Sequence, residues 1–155
     1  MSDNKTQLYA GIVIAVIVVI AAGWYLRPAP EAPEDVFKVG MVTGTGGLGD
    51  KSFNDIAFSG IQQALEEYDI EYDVVEPTAV SEYEGYQRDF AMSEEYGLIV
   101  CIGFDQGDAL AIVASEYPEQ KFALVDMVVD NENVASMTFR ANEGSFLLGV
   151  VAGME

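Results

Sequence analysis

Three glycines in the stretch VTGTGGLGDKSFNDIAF, residues 42–58, are spaced as G-x-G-x-x-G: Gly44, Gly46 and Gly49. Where such a loop joins a strand directly to a helix, its backbone approaches a pyrophosphate and the helix N-terminus holds the charge. Here the third glycine is followed by an anion, Asp50, and the helix start falls later, at Ser52. A carboxylate in that place repels a pyrophosphate. The acidic residue expected about 20 positions on is also displaced, because Glu76 lies 32 residues after Gly44. A nucleotide-cofactor-binding, Rossmann-like enzyme domain is therefore the weaker alternative for this loop.

Composition narrows the chemistry further. The 155 residues carry 26 Asp plus Glu against 7 Lys plus Arg, no His, and a formal charge of -19. Such a field repels nucleic acid and anionic lipid surfaces, so no nucleic-acid partner is expected. Its simplest meaning is a solvated acidic surface. Without His there is no imidazole acid–base catalysis, His–metal ligation or Ser-His-Asp triad within the chain. The single Cys101 lies in the apolar run GLIVCIG and reads as a small buried hydrophobe. Carboxylates are abundant but scattered, and no nucleophile–base pair or metal-ligand cluster stands out. A binding module that uses no metal and no cofactor is expected, not an enzyme.

The elements that must position any site follow from periodicity. VFKVGMVT (36–43) reads as a strand, and SFNDIAFSGIQQALEEY (52–68) as a helix with apolar positions Phe53, Ala57, Ile61, Ala64, Leu65 and Tyr68. Ser52 with Asp55 three residues later resembles a capping box. A strand (70–76), a helix (81–96), a continuously apolar strand (97–103), a helix (105–117) and strands at 121–126 and 134–139 come next. EGSFLLGVVAGM then begins a further helix. Strands alternating with helices imply right-handed crossovers: an α/β fold, a three-layer parallel sheet with helices on both faces. Ligands of such sheets collect at the carboxyl ends of the strands. Those ends carry TGTGGLGDKSFN, GFDQGD and DMVVDNEN. This placement selects Phe104 and Asp105 after the third strand and Asp126 after the fourth. Asp126 is singled out because a carboxylate ending an apolar strand is costly without a partner.

Ahead of the domain lies a different kind of segment. After a tail of residues 1–7, Leu8 to Leu26 runs 19 residues without a charge. About 20 apolar residues span a bilayer, whereas a signal-peptide core has about 7–15. Trp24 and Tyr25 suit an interfacial position, and Arg27 follows. The length favours an uncleaved single-pass anchor at the cell membrane over a cleaved signal peptide, with the domain on the extracytoplasmic side. Residues 27–35, RPAPEAPED, form a Pro-rich spacer, and residues 36–155 form the domain.

Three stretches, KVGMVTGTGGLGDKSFNDIAFSGIQ, GLIVCIGFDQGDAL and YPEQKFALVDMVVDNENVASMTFRANEGSFLLGVVAG, resemble the basic membrane protein family in order and spacing. The likeness covers about residues 37–153. It implies a type I periplasmic-binding fold and an extracytoplasmic substrate-binding component of an ABC transporter, with nucleosides, purine type, as ligands and permease subunits as partners. A ligand-sensing ectodomain of the same fold is the other alternative. The family's usual Asp after the first strand is here Gly44, and its lipid-anchoring Cys is lacking. A nucleoside needs an aromatic plate and fixed polar groups, and a carboxylate suits ribose because it accepts two hydroxyl hydrogens. Phe58, at the edge of the helix's apolar stripe, is the expected plate. The resemblance places Asp50, Lys51, Ser52 and Asn54 beside it at the ligand. The family fold has two lobes that close on the ligand, whereas this chain carries the N-terminal one, truncated before the second. The second lobe is therefore expected in cis or in trans, and the lobe alone should bind nucleosides weakly.

Overall fold

The computed structural model describes residues 36–154. The expected anchor (8–26), the tail before it and the spacer (27–35) lie outside the described residues. Among the described residues, no helix is long and apolar enough to cross a membrane.

Five short apolar runs become five strands: β1 (Phe37–Val42), β2 (Ile70–Val75), β3 (Leu98–Ile102), β4 (Phe122–Val125) and β5 (Val134–Met137). They form one parallel sheet in the order β2-β1-β3-β4-β5. The helices between them are α1 (Phe53–Glu67), α2 (Tyr83–Ser93) and α3 (Gly107–Glu116), and α4 (Ala141–Ala152) follows β5. Side chains alternate across the pleat, so each strand feeds two cores. On one face Val42, Ile99, Cys101, Phe122 and Leu124 pack with Tyr83, Phe90, Leu110 and Val113 of α2 and α3. On the other, Val39, Met41 and Ile102 pack with Ile61 of α1. The expected layered parallel sheet with helices on both faces is the one observed.

Every strand is a residue or more shorter than its apolar run, because pairing stops where the chain turns away. Two helices also begin differently from the periodicity. A 3-10 turn, Val80–Glu82, precedes α2, and another, Phe104–Gln106, precedes α3. The capping box expected from Ser52 and Asp55 does not form. Ser52 makes no side-chain cap bond. Asp50 caps α1 instead, its carboxylate accepting from the N–H groups of Ser52 (2.8 Å), Asn54 (3.0 Å) and Asp55 (3.2 Å). Asp55 reaches back to Gly49 N (2.7 Å) and Lys51 N (2.8 Å).

α4 differs from the other helices. It is apolar on all sides, with Phe146, Leu147 and Leu148 each at least 65 % exposed. A helix of that composition is ordinarily buried.

Candidate functional site

The chain runs from β1 outward to β2, then crosses back to place β3 on the other side of β1. The loops after β1 and β3 therefore leave the sheet in opposite directions and open a crevice at their carboxyl ends. A concavity of about 410 Å³ occupies it. Gly44, Thr45, Gly46 and Asp50 line it from the first loop, Phe53 and Asn54 from α1, Ile102 to Asp105 from β3 and its loop, and Asp126 from beyond β4.

The first loop is held by side chains rather than left free. Asn54 is buried and its Oδ1 accepts from Gly44 N at 2.8 Å. The Tyr83 hydroxyl accepts from Thr45 N at 3.0 Å. Glu76, at the end of β2, accepts from Leu48 N at 2.7 Å. Gly47 N donates to Gly44 O at 2.9 Å, closing a tight turn. Gly47 has φ +63, and a Cβ there would stand 2.7 Å from Glu76 Oε2, so a side chain would strain the backbone and push the carboxylate off Leu48 N. With Asp55 on Gly49 and Lys51, and Asp50 on Ser52, most of the N–H groups that could cradle a pyrophosphate are already taken, chiefly by carboxylates. This counts against the cofactor-loop alternative on chemistry as well as on spacing.

β1 and β3 are joined beneath the crevice by a buried amide pair. Gln106 Nε2 lies 2.9 Å from Val42 O, 3.2 Å from Thr43 O and 2.9 Å from Ile102 O. Its Oε1 accepts from Gln87 Nε2 at 2.9 Å. Cys101 is buried beside this pair; burial pushes its thiol up to about 12, opposed by Gln87, so it is inert as a nucleophile.

Of the residues expected at a ligand, Asp50, Asn54, Phe104, Asp105 and Asp126 are brought together around the concavity. Lys51 and Ser52 are exposed turn residues outside its lining, Lys51 with φ +53. Phe58 is not there either. It lies half-buried against β2, its ring edge-on to Tyr72 with centroids 5.6 Å apart. The reason is axial: five residues into a helix is about 7.5 Å along its axis, which carries Phe58 away from the strand ends. Phe53, the first helical residue, stays at the rim, 39 % exposed. Phe104 offers a second ring, 66 % exposed. Asp126 has none of the partners expected of it. Its side chain is exposed and makes no hydrogen bond among the described residues, while its backbone adopts φ +76 and donates to Met137 O at 2.7 Å. Water supplies the solvation that a protein partner would otherwise have to provide.

Electrostatically the concavity is an acceptor site. Asp50, Asp105 and Asp126 line it, and no Lys or Arg does. The backbone N–H of Asn54, then that of Ser52, holds the Asp50 carboxyl below the usual carboxylate range. Asp105 accepts from the Tyr83 hydroxyl at 2.8 Å. Two flat apolar rings among ionised acceptors suit a neutral, planar, hydroxyl-bearing molecule and oppose an anion.

The family model for Bmp, described as ABC transporter substrate-binding protein PnrA-like, matches residues 37–155. The chain belongs to this family. An uncharacterised lipoprotein of Pyrococcus furiosus is 34 % identical over 92 % of the chain and 37 % of its own length. Basic membrane protein A of Borreliella burgdorferi is 34 % identical over 76 % of the chain and 35 % of its own. A solved structure of an ABC transporter solute-binding protein from Aeropyrum pernix superposes with a TM-score of 0.72 at 38 % identity, covering 75 % of the chain and 32 % of that protein. The chain thus spans less than half the length of the curated relatives it matches. As a Bmp-family lobe its fold is that of a substrate-binding protein, as in the Aeropyrum pernix solute-binding protein.

Proposed function

We propose that this chain is the amino-terminal lobe of a membrane-tethered receptor that binds purine-type nucleosides outside the cell and delivers them to an ABC permease. The observation that carries the reading is the grouping of Phe53 and Phe104 with Asp50, Asn54, Asp105 and Asp126 around one crevice. A base can stack on a ring, the ribose hydroxyls can donate to carboxylates, and the uncharged ligand meets no like charge. The uncharged run Leu8 to Leu26 supplies the tether and residues 27–35 the spacer.

A second lobe, in cis or in trans, completes the pocket. The greater length of the relatives supports this, as does the bare apolar surface of α4. A ligand in a finished pocket loses about 70–90 % of its surface to the protein, and one lobe covers about half of that. Thermal-shift titration of the intact chain with inosine, guanosine, adenosine and NAD tests the assignment. Nucleosides should raise the unfolding midpoint at high ligand concentration, with tighter binding when a second lobe is present. Stabilisation by NAD alone would overturn it.

A further inference from the structure

Tyr83 belongs to none of the three strand-end loops. It opens α2 on the sheet face opposite α1, and its side chain is fully buried. Yet its hydroxyl reaches both sides of the crevice, 3.0 Å from Thr45 N on the β1 loop and 2.8 Å from Asp105 Oδ2 on the β3 loop. A phenol has one proton to give. Thr45 N–H is itself a donor, so that proton goes to Asp105 and the direction of both bonds is fixed. The other carboxylate oxygen, Oδ1, lies beside Gly103, whose φ is +114 and where a Cβ would come within 2.8 Å of it.

We propose that Tyr83 is the positioning residue of the ligand site: it holds the Asp105 carboxylate as an oriented acceptor and sets the spacing between the β1 and β3 loops. This rests on reading the crevice as the ligand site. One oxygen of Asp105 is spent on the phenol, so the carboxylate cannot swing toward solvent without leaving a buried hydroxyl unpaired. The other oxygen then keeps a fixed distance from the Phe104 and Phe53 rings. Burial, and then Asp105 itself, raises the Tyr83 phenol above its ordinary value, so it remains a proton donor through the neutral range. No helical or strand periodicity marks this role, because the sequence places Tyr83 on a core-facing helix position.

The test is Tyr83→Phe in the intact chain, which keeps the ring and removes only the oxygen. Without any ligand, the Thr45 amide should exchange about tenfold faster and the Asp105 carboxyl carbon resonance should move. With inosine, affinity should fall about five- to tenfold, and Tyr83→Phe combined with Asp105→Asn should lose no more than Asp105→Asn alone. An unchanged Thr45 amide and Asp105 resonance would overturn the proposal whatever the ligand. So would losses that add in the double variant, because Tyr83 would then act independently of Asp105. If the ligand-free signals move and the wild-type chain does not bind inosine, the nucleoside reading fails while the positioning role stands. Should Tyr83→Phe not fold, Asp105→Ala tests the contact from its exposed side: the Tyr83 phenolic carbon resonance must shift, and a still resonance would overturn the contact.

Discussion

The two edges of the sheet are both concave and both acidic, yet they are built for opposite ends. At the amino edge a hollow of about 530 Å³, larger than the crevice, is lined by Glu94, Tyr96, Glu116, Tyr117 and Glu119 among others. Two of its polar groups, Glu116 and Tyr96, are engaged by residues outside it. Arg88 bridges Glu116 at 2.7 Å and Glu84 at 2.8 Å. Tyr96 donates to Asp73 at 2.7 Å, and Lys38 pairs with Asp73 at 2.8 Å while lying 4.8 Å above the Tyr96 ring. At the carboxyl edge the pairing is spent on the backbone of the loops, and the rings and the Asp126 carboxylate face outward. Volume alone would choose the amino edge. What separates them is place: the carboxyl edge lies where the loops after β1 and β3 diverge, with two exposed rings beside the Asp126 carboxylate.

The largest effect should come from removing the support under the carboxyl edge. Gln106→Leu strips three buried carbonyls of a shared donor and leaves Gln87 without its acceptor. A loss of about 3 kcal/mol or more is expected, read as a lower urea midpoint. A loss under about 1 kcal/mol would mean that the two loops are positioned by something other than this amide pair. Phe53→Ala and Phe58→Ala sharpen the contrast within one helix. Stacking on a base is worth about 1–3 kcal/mol, so Phe53→Ala should weaken inosine binding about fivefold or more on that scale with little change in midpoint. Phe58→Ala should do the reverse, costing about 2 kcal/mol of stability and sparing affinity once the protein is folded. Glu119→Gln, at the amino edge, should alter neither.

The smallest effect is one of pH. Asp50 titrates below its ordinary value in the folded chain because backbone N–H groups stabilise the anion. Its contribution is present above the ordinary carboxylate value and is lost as pH falls through the lower folded-state value. Asp50→Asn should therefore flatten the acid limb of a stability–pH profile. An acid limb as steep as wild type would assign that loss to other carboxylates.

The sheet was legible because apolar runs and helical spacing report burial, and burial is what positions strands. The strand-end rule likewise places Phe104, Asp105 and Asp126 at the edge where they line the crevice. Phe58 stands away from the crevice for a definite reason. Angular position on a helix says which way Phe58 points, but only axial position says how far it stands from the strand ends, and by that measure Phe53 was the better choice. Residue type favours Ser52 as the cap, whereas Asp50 reaches the same amides from two residues upstream. Tyr83, Glu76 and Gln106 left no signal, since their partners are 38, 28 and 64 residues away.

The engaged amides of the first loop bear on how the crevice meets inorganic anions. Sulfate and phosphate are drawn to unoccupied N–H groups, and this rim offers oxygens in their stead. Such ions find few amides to hold and three carboxylates to repel them, so the crevice disfavours small oxyanions.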